Sequence, residues 1–183
     1  MTPKTIELVH HLDSNRLALR RAVDDVPPAL RGRRPGADRW SVAQVLEHLA
    51  IVEGRVTHRM TAALEAARAG GIPADDSTAS VVDRSFLDRA ADRTNRFKTS
   101  EAAEPRDGLT ADAAWSHLEG TRAAFKELLQ HGDGLALDGL VAPHPFFGML
   151  NFYQWAAFLA AHDARHASQI REIHVTLAAS EAS

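Results

Sequence analysis

Apolar residues recur at intervals of three and four along almost the whole chain, and no stretch of useful length alternates apolar and polar residues strictly. An interval of three or four puts side chains on one face of an α-helix, whereas a half-buried strand needs an interval of two. This periodicity restricts the chain to an all-α fold. A length of 183 residues corresponds to one domain, which can bury enough apolar surface to fold without staples. We therefore expect a single helical-bundle domain over residues 1–183.

Breaks in the pattern locate the helices. The first covers Thr5 to Val23, with Val9, Leu12, Leu19 and Val23 on one stripe, and stops at Pro27 and Pro28. A basic loop, Arg31 to Arg39, follows. The second helix runs from Val42 to about Arg68. Ser41 is placed to cap it, Gln44 to complete a capping box, and Trp40 to staple onto Val45. Gly70, Gly71 and Pro73 end it, and the small, acidic stretch from Gly70 to Ser80 reads as a flexible loop.

A shorter helix is expected over Val82 to Arg93, then a long connection ending in Pro105. The third long helix spans Ala111 to Gln130. The Pro-rich segment Asp138 to Leu150 reads as a loop, and the last long helix runs from an Asn151 cap to about Leu177. Four long helices with one long crossover connection make an antiparallel four-helix bundle.

Composition excludes several functions. The 21 Lys and Arg against 24 Asp and Glu give a net charge of −3, so the positive excess of a nucleic-acid binder is missing. No run of about 18 apolar residues offers a membrane span, and the first residues have no signal-peptide core, so a soluble cytoplasmic protein is expected. There is no cysteine, and any metal site must use histidine and carboxylate.

The last helix carries the sharpest chemical signal. Its inward stripe reads Trp155, Leu159, His162, His166, Gln169 or Ile170, Ile173, Leu177, with two histidines four apart inside the core seam. Such a pair lies on one face about 5 to 6 Å apart at Cβ and can converge on one ion. Taken alone, such a pair is more often two partly buried histidines with backbone partners than a metal site. His48 strengthens the metal reading, because it sits one step from the inward stripe of the second helix; if the two helices are neighbours, three imidazoles meet. Three His ligands with an open fourth position form the pattern of a catalytic zinc site. The sequence HDARH is not the HExxH motif of zinc peptidases, since Asp163 replaces the glutamate base.

Metal-bound histidines usually donate their second N–H to a partner, and Gln169, Asp163 and Glu47 are candidates, with Gln169 best placed one turn past His166. Asp163 and Glu47 fit a solvated flank equally well. His144, in the Pro-rich loop, is assigned to loop packing ahead of a place over the site. Arg165 is assigned to a salt bridge with a helix neighbour such as Glu172, or to a loop. His10, His11, His58, His117, His131 and His174 fall off the inward stripes or near helix ends and are assigned solvated or capping roles.

Three segments together, Trp40 to Leu49 (WSVAQVLEHL), Pro143 to Gly148 (PHPFFG) and Gln154 to Ile170 with HDARHASQI, resemble the DinB-like superfamily, and Asn95 to Pro105 resembles that family's connection before its third long helix. The resemblance implies a four-helix bundle, a divalent metal such as zinc or nickel held by His48, His162 and His166, and frequent homodimers. It also implies small-molecule chemistry, since some members are S-transferases that use low-molecular-weight thiols and others are related isomerases. Two functions follow: a metalloenzyme that activates a thiol or water for attack on a small electrophile, or a non-catalytic stress or interaction protein that a metal stabilises. A bare scaffold without metal is the third.

Overall fold

In a computed structural model, the described residues, 1–94 and 99–181, form four long helices, one short helix and a small hairpin. The first four residues of the connection that resembles the family, 95–98, lie outside them. Helix α1 spans Pro3–Asp24, α2 Val42–Ala69, α3 Arg84–Ala91, α4 Ala111–His131 and α5 Phe152–Glu181. The start of α2 follows the sequence closely. The Ser41 hydroxyl accepts from the Gln44 amide N–H at 3.2 Å and the Gln44 carboxamide oxygen accepts from the Ser41 N–H at 2.9 Å, a complete capping box. Asn151 and Gln154 repeat the reciprocal pair at the start of α5, both bonds at 2.9 Å.

Long-range contacts set the directions of the helices. Gln44 bonds Asp107 ahead of α4, and at the far end Arg68 donates to the His131 carbonyl, so α2 and α4 lie side by side and run parallel. Arg16 meets Asp163 and Lys4 lies over the Tyr153 ring, so α1 and α5 also run parallel. The crossover through residues 70–110 makes this possible, because it carries the chain back to the end where α2 began. Helices α2 and α5 are neighbours of opposite direction, the condition on which the three-histidine convergence depends.

The Pro-rich segment is not wholly a loop. Strands β1, Val141–His144, and β2, Gly148–Asn151, pair antiparallel with His144 opposite Gly148. Gly148 takes a positive φ of 72°, the conformation that a three-residue hairpin connection requires where it rejoins the strand. Four-residue strands, one containing Pro143, are too short to show an alternating signal. Val141, Met149 and Phe146 stay exposed, while Ala142, Leu150 and His144 face the bundle.

The core falls into two apolar halves. One contains Leu8, Leu12, Val56, Met60, Phe125 and the first turns of α5; the other contains Leu19, Leu46, Leu49, Leu118, Ile170 and Ile173. Between them lies a polar layer with one residue from each long helix. Arg16 donates to Asp163 at 2.9 Å and to Glu53 at 2.8 Å, and Arg122 donates to Glu53 at 2.5 Å and to Asp163 at 3.1 Å. All four are buried, and the two guanidiniums also donate to the Leu118 and Leu12 carbonyls. Burial opposes the charge on Arg16, but Asp163 and Glu53 outweigh it and raise its pKa.

Candidate metal centre

Helix α2 presents His48 and helix α5 presents His162 and His166 to one point. One nitrogen from each ring lies within 4.8 Å of the other two. The Nε2 atoms of His162 and His166 are 3.0 Å apart, and ring centroids are separated by 5.2 Å for His48 and His162 and 5.0 Å for His48 and His166. All three side chains are buried. Trp40, expected to staple Val45, lies against the His48 ring at 4.9 Å, and Phe158 stacks on His162 at 5.1 Å.

The outer nitrogens determine which atoms face the centre. His48 Nδ1 lies 2.7 Å from the Ala103 carbonyl oxygen. A carbonyl only accepts, so Nδ1 carries the proton and Nε2 keeps its lone pair. His166 Nδ1 lies 2.8 Å from Gln169 Oε1, and the same oxygen is 3.3 Å from Arg93 NH1. A guanidinium only donates, so Gln169 must turn its oxygen to both neighbours, and His166 Nδ1 donates as well. Two imidazoles thus present Nε2 lone pairs inward. The close contact between His162 and His166 is then an Nε2–H of His162 donating to the His166 Nε2 lone pair.

Electrostatics keep the rings neutral, the form that binds metal. Burial holds His48 below the ordinary histidine pKa, against the bond to Ala103. His162 and His166 are pushed well below it, first by burial and then by the neighbouring imidazoles.

The remaining candidates separate cleanly. Gln169 stands behind His166, as its position on the helix indicated. Asp163 does not stand behind a ligand and is not a solvated flank: it turns away from the histidines and closes the Arg16, Arg122 and Glu53 layer. Glu47 lines a groove of about 940 Å³ between α2 and α4, with Ala50, Gly108 and Thr121. His144 packs in the hairpin: its Nδ1 accepts from the Phe146 and Phe147 N–H groups at 3.1 and 3.3 Å, and its ring lies 4.4 Å from Phe158. Burial, then the charge of Arg59, lowers its pKa to about 4. Arg165 donates to the Asp92 carbonyl in the connection after α3 and feels the charge of Glu172, which also pairs with Arg93.

Sequence reasoning missed two contributors, the Ala103 carbonyl and Arg93. A backbone acceptor has no residue signature. Arg93 lies beyond the end of α3, where nothing in the sequence relates it to α5.

The chain belongs to the DinB superfamily, whose family model matches residues 11–170. It is 27% identical over 146 residues to the uncharacterized protein YuaE of Bacillus subtilis (strain 168), a match covering 77% of this chain and 81% of that protein. The crystal structure of TT2238, a four-helix bundle protein, superposes with a TM-score of 0.60 at 20% identity, over 92% of this chain and 98% of that one. That likeness concerns the fold.

Proposed function

We propose that His48, His162 and His166 hold one divalent ion, zinc or nickel, through their Nε2 atoms, and that the protein is a metalloenzyme acting on a small electrophile. The observation that carries this reading is the convergence of three buried imidazoles, two of them held with their lone pairs inward. The donor set suits a borderline ion. A bound ion would lower the pKa of a water toward about 7, or stabilise a thiolate at neutral pH.

Three protein donors leave a fourth position for that nucleophile. The side chains best placed by sequence to close it, Asp163 and His144, are engaged in the ion layer and in the hairpin turn. The chain has no cysteine, so a thiol nucleophile comes from a low-molecular-weight co-substrate. Phe158, Trp40 and the His144 ring give the surroundings an apolar character that favours a small organic substrate over a charged polymer.

The test compares zinc-loaded, nickel-loaded and metal-free protein in a screen of small electrophiles, with and without a low-molecular-weight thiol. Consumption of thiol that needs both metal and His166 supports an S-transferase, and metal-dependent hydrolysis without thiol supports a hydrolase. Stoichiometric metal with a higher melting temperature and no turnover in any arm supports the non-catalytic, metal-stabilised protein instead.

A further inference from the structure

Arg93 makes three bonds at once. Its Nε and NH2 donate to the two carboxylate oxygens of Glu172 at 2.9 and 2.8 Å, and its NH1 donates to Gln169 Oε1 at 3.3 Å. An arginine paired with a glutamate on a half-exposed surface contributes little by itself. The third bond reaches the centre, because the oxygen it holds is the one that accepts from His166 Nδ1.

A carboxamide has a donor end and an acceptor end, and nothing in its shape decides which faces an imidazole. If the NH2 end of Gln169 faced His166, Nδ1 would accept, the proton would move to Nε2, and the lone pair would be lost from the side facing the other two histidines. The positive fork of Arg93 forbids that orientation. Glu172 fixes the fork and neutralises a charge that would otherwise oppose a cation nearby. The backbone around Arg93 is tied to the same helix, since Arg165 of α5 donates to the Asp92 carbonyl.

Resting on the reading of the three histidines as metal ligands, we propose that Arg93 is a positioning residue for the centre: clamped by Glu172, it orients the Gln169 amide so that His166 keeps its proton on Nδ1 and offers Nε2 to the metal. The connection after α3 therefore serves both ligand helices. Arg93 acts through Gln169 on His166 of α5, and Ala103 acts directly on His48 of α2.

The orientation argument makes a rescue possible. A carboxylate has no donor end, so Gln169→Glu accepts from His166 whichever way it turns and needs no arginine to orient it. Arg93→Ala should weaken zinc affinity about 10- to 100-fold, the usual cost of losing an outer partner. The Arg93→Ala, Gln169→Glu double variant should recover most of it. Arg93→Lys keeps the charge but not the fork, and should fall between wild type and Arg93→Ala.

Zinc affinity is measured by competition with a chromophoric chelator. Nitrogen NMR of the imidazoles in metal-free protein gives the protonated nitrogen of His166 directly. The expected result is Nδ1–H in wild type and in the double variant, with Nε2–H appearing in Arg93→Ala. Unchanged affinity and an unmoved His166 proton in Arg93→Ala, or no recovery in the double variant, overturns the proposal. If Arg93→Ala does not fold, the His166 proton in Arg93→Lys decides. If wild type fails to bind zinc, the metal reading has failed, and the NMR of metal-free protein still judges the role of Arg93.

Discussion

Two polar clusters sit side by side in the middle of this bundle, and consecutive residues of α5 serve them: His162 turns to one and Asp163 to the other. The ion layer is closed. Its two arginines and two carboxylates neutralise each other and spend their hydrogen bonds within the layer, on the Leu118 and Leu12 carbonyls, and, at one end of Arg16, on the Glu119 carboxylate. The histidine centre is held on its outer side at His48 and His166, while on its inner side the rings meet only one another, His162 and His166 through Nε2 atoms 3.0 Å apart. A buried group with every bond made is a structural element, and a buried group with acceptors aimed at one another invites a cation. Burial alone does not separate them, since both clusters are buried; the direction of the hydrogen bonds does.

That contrast can be broken most forcefully at Asp163. Asp163→Ala leaves two buried guanidiniums short of a partner and should cost roughly 3 to 5 kcal/mol, as breaking buried ion pairs generally does. Urea unfolding of metal-free protein measures the loss, and loss of metal with unchanged stability would instead put Asp163 at the metal centre. His166→Ala should do the reverse, abolishing stoichiometric metal binding while the helical circular dichroism stays close to wild type. In excess metal its melting temperature should no longer rise, whereas wild type should gain about 4 kcal/mol at a metal concentration 1,000 times Kd.

Acid should distinguish the clusters further. The folded-state pKa values of His48, His162, His166 and His144 are lowered, so between an unfolded value of about 6.5 and their own values the unfolded chain binds more protons. The stability they contribute is present above about pH 6.5 and is lost as pH falls below it, for His144 down to about 4. Urea midpoints at pH 7.5 and pH 5 should therefore fall in metal-free wild type, and fall less in His144→Asn. A smaller effect belongs to the entry of α2: Ser41→Ala should cost about 1 kcal/mol through the lost cap. Metal affinity should change little, because His48 is also held by Ala103.

The sequence located the bundle through features that act locally. Periodicity and capping boxes depend on neighbours a turn away, and they place α2, α4 and α5 within a few residues of the observed ends. The three histidines and Gln169 were legible for the same reason, since each is defined by spacing along one helix. What was not legible depends on tertiary pairing. Arg16 fills the gap between Leu12 and Leu19, and Arg122 the gap between Leu118 and Phe125, so each helix carries one charge on its apolar face. Those charges make sense only once α1, α2, α4 and α5 are packed, which is why spacing along α5 leaves Asp163 between a histidine partner and a solvated flank. The hairpin was hidden by its length, and Arg93 by its distance along the chain from α5.

Elemental analysis of the purified, untagged protein after reconstitution, beside His48→Ala, His162→Ala and His166→Ala, tests the central claim most directly. The account predicts about one zinc or nickel per chain in wild type and substantial loss in each variant, with helical content retained. Wild type without metal, or variants that keep it undiminished, would contradict a centre built from these three histidines.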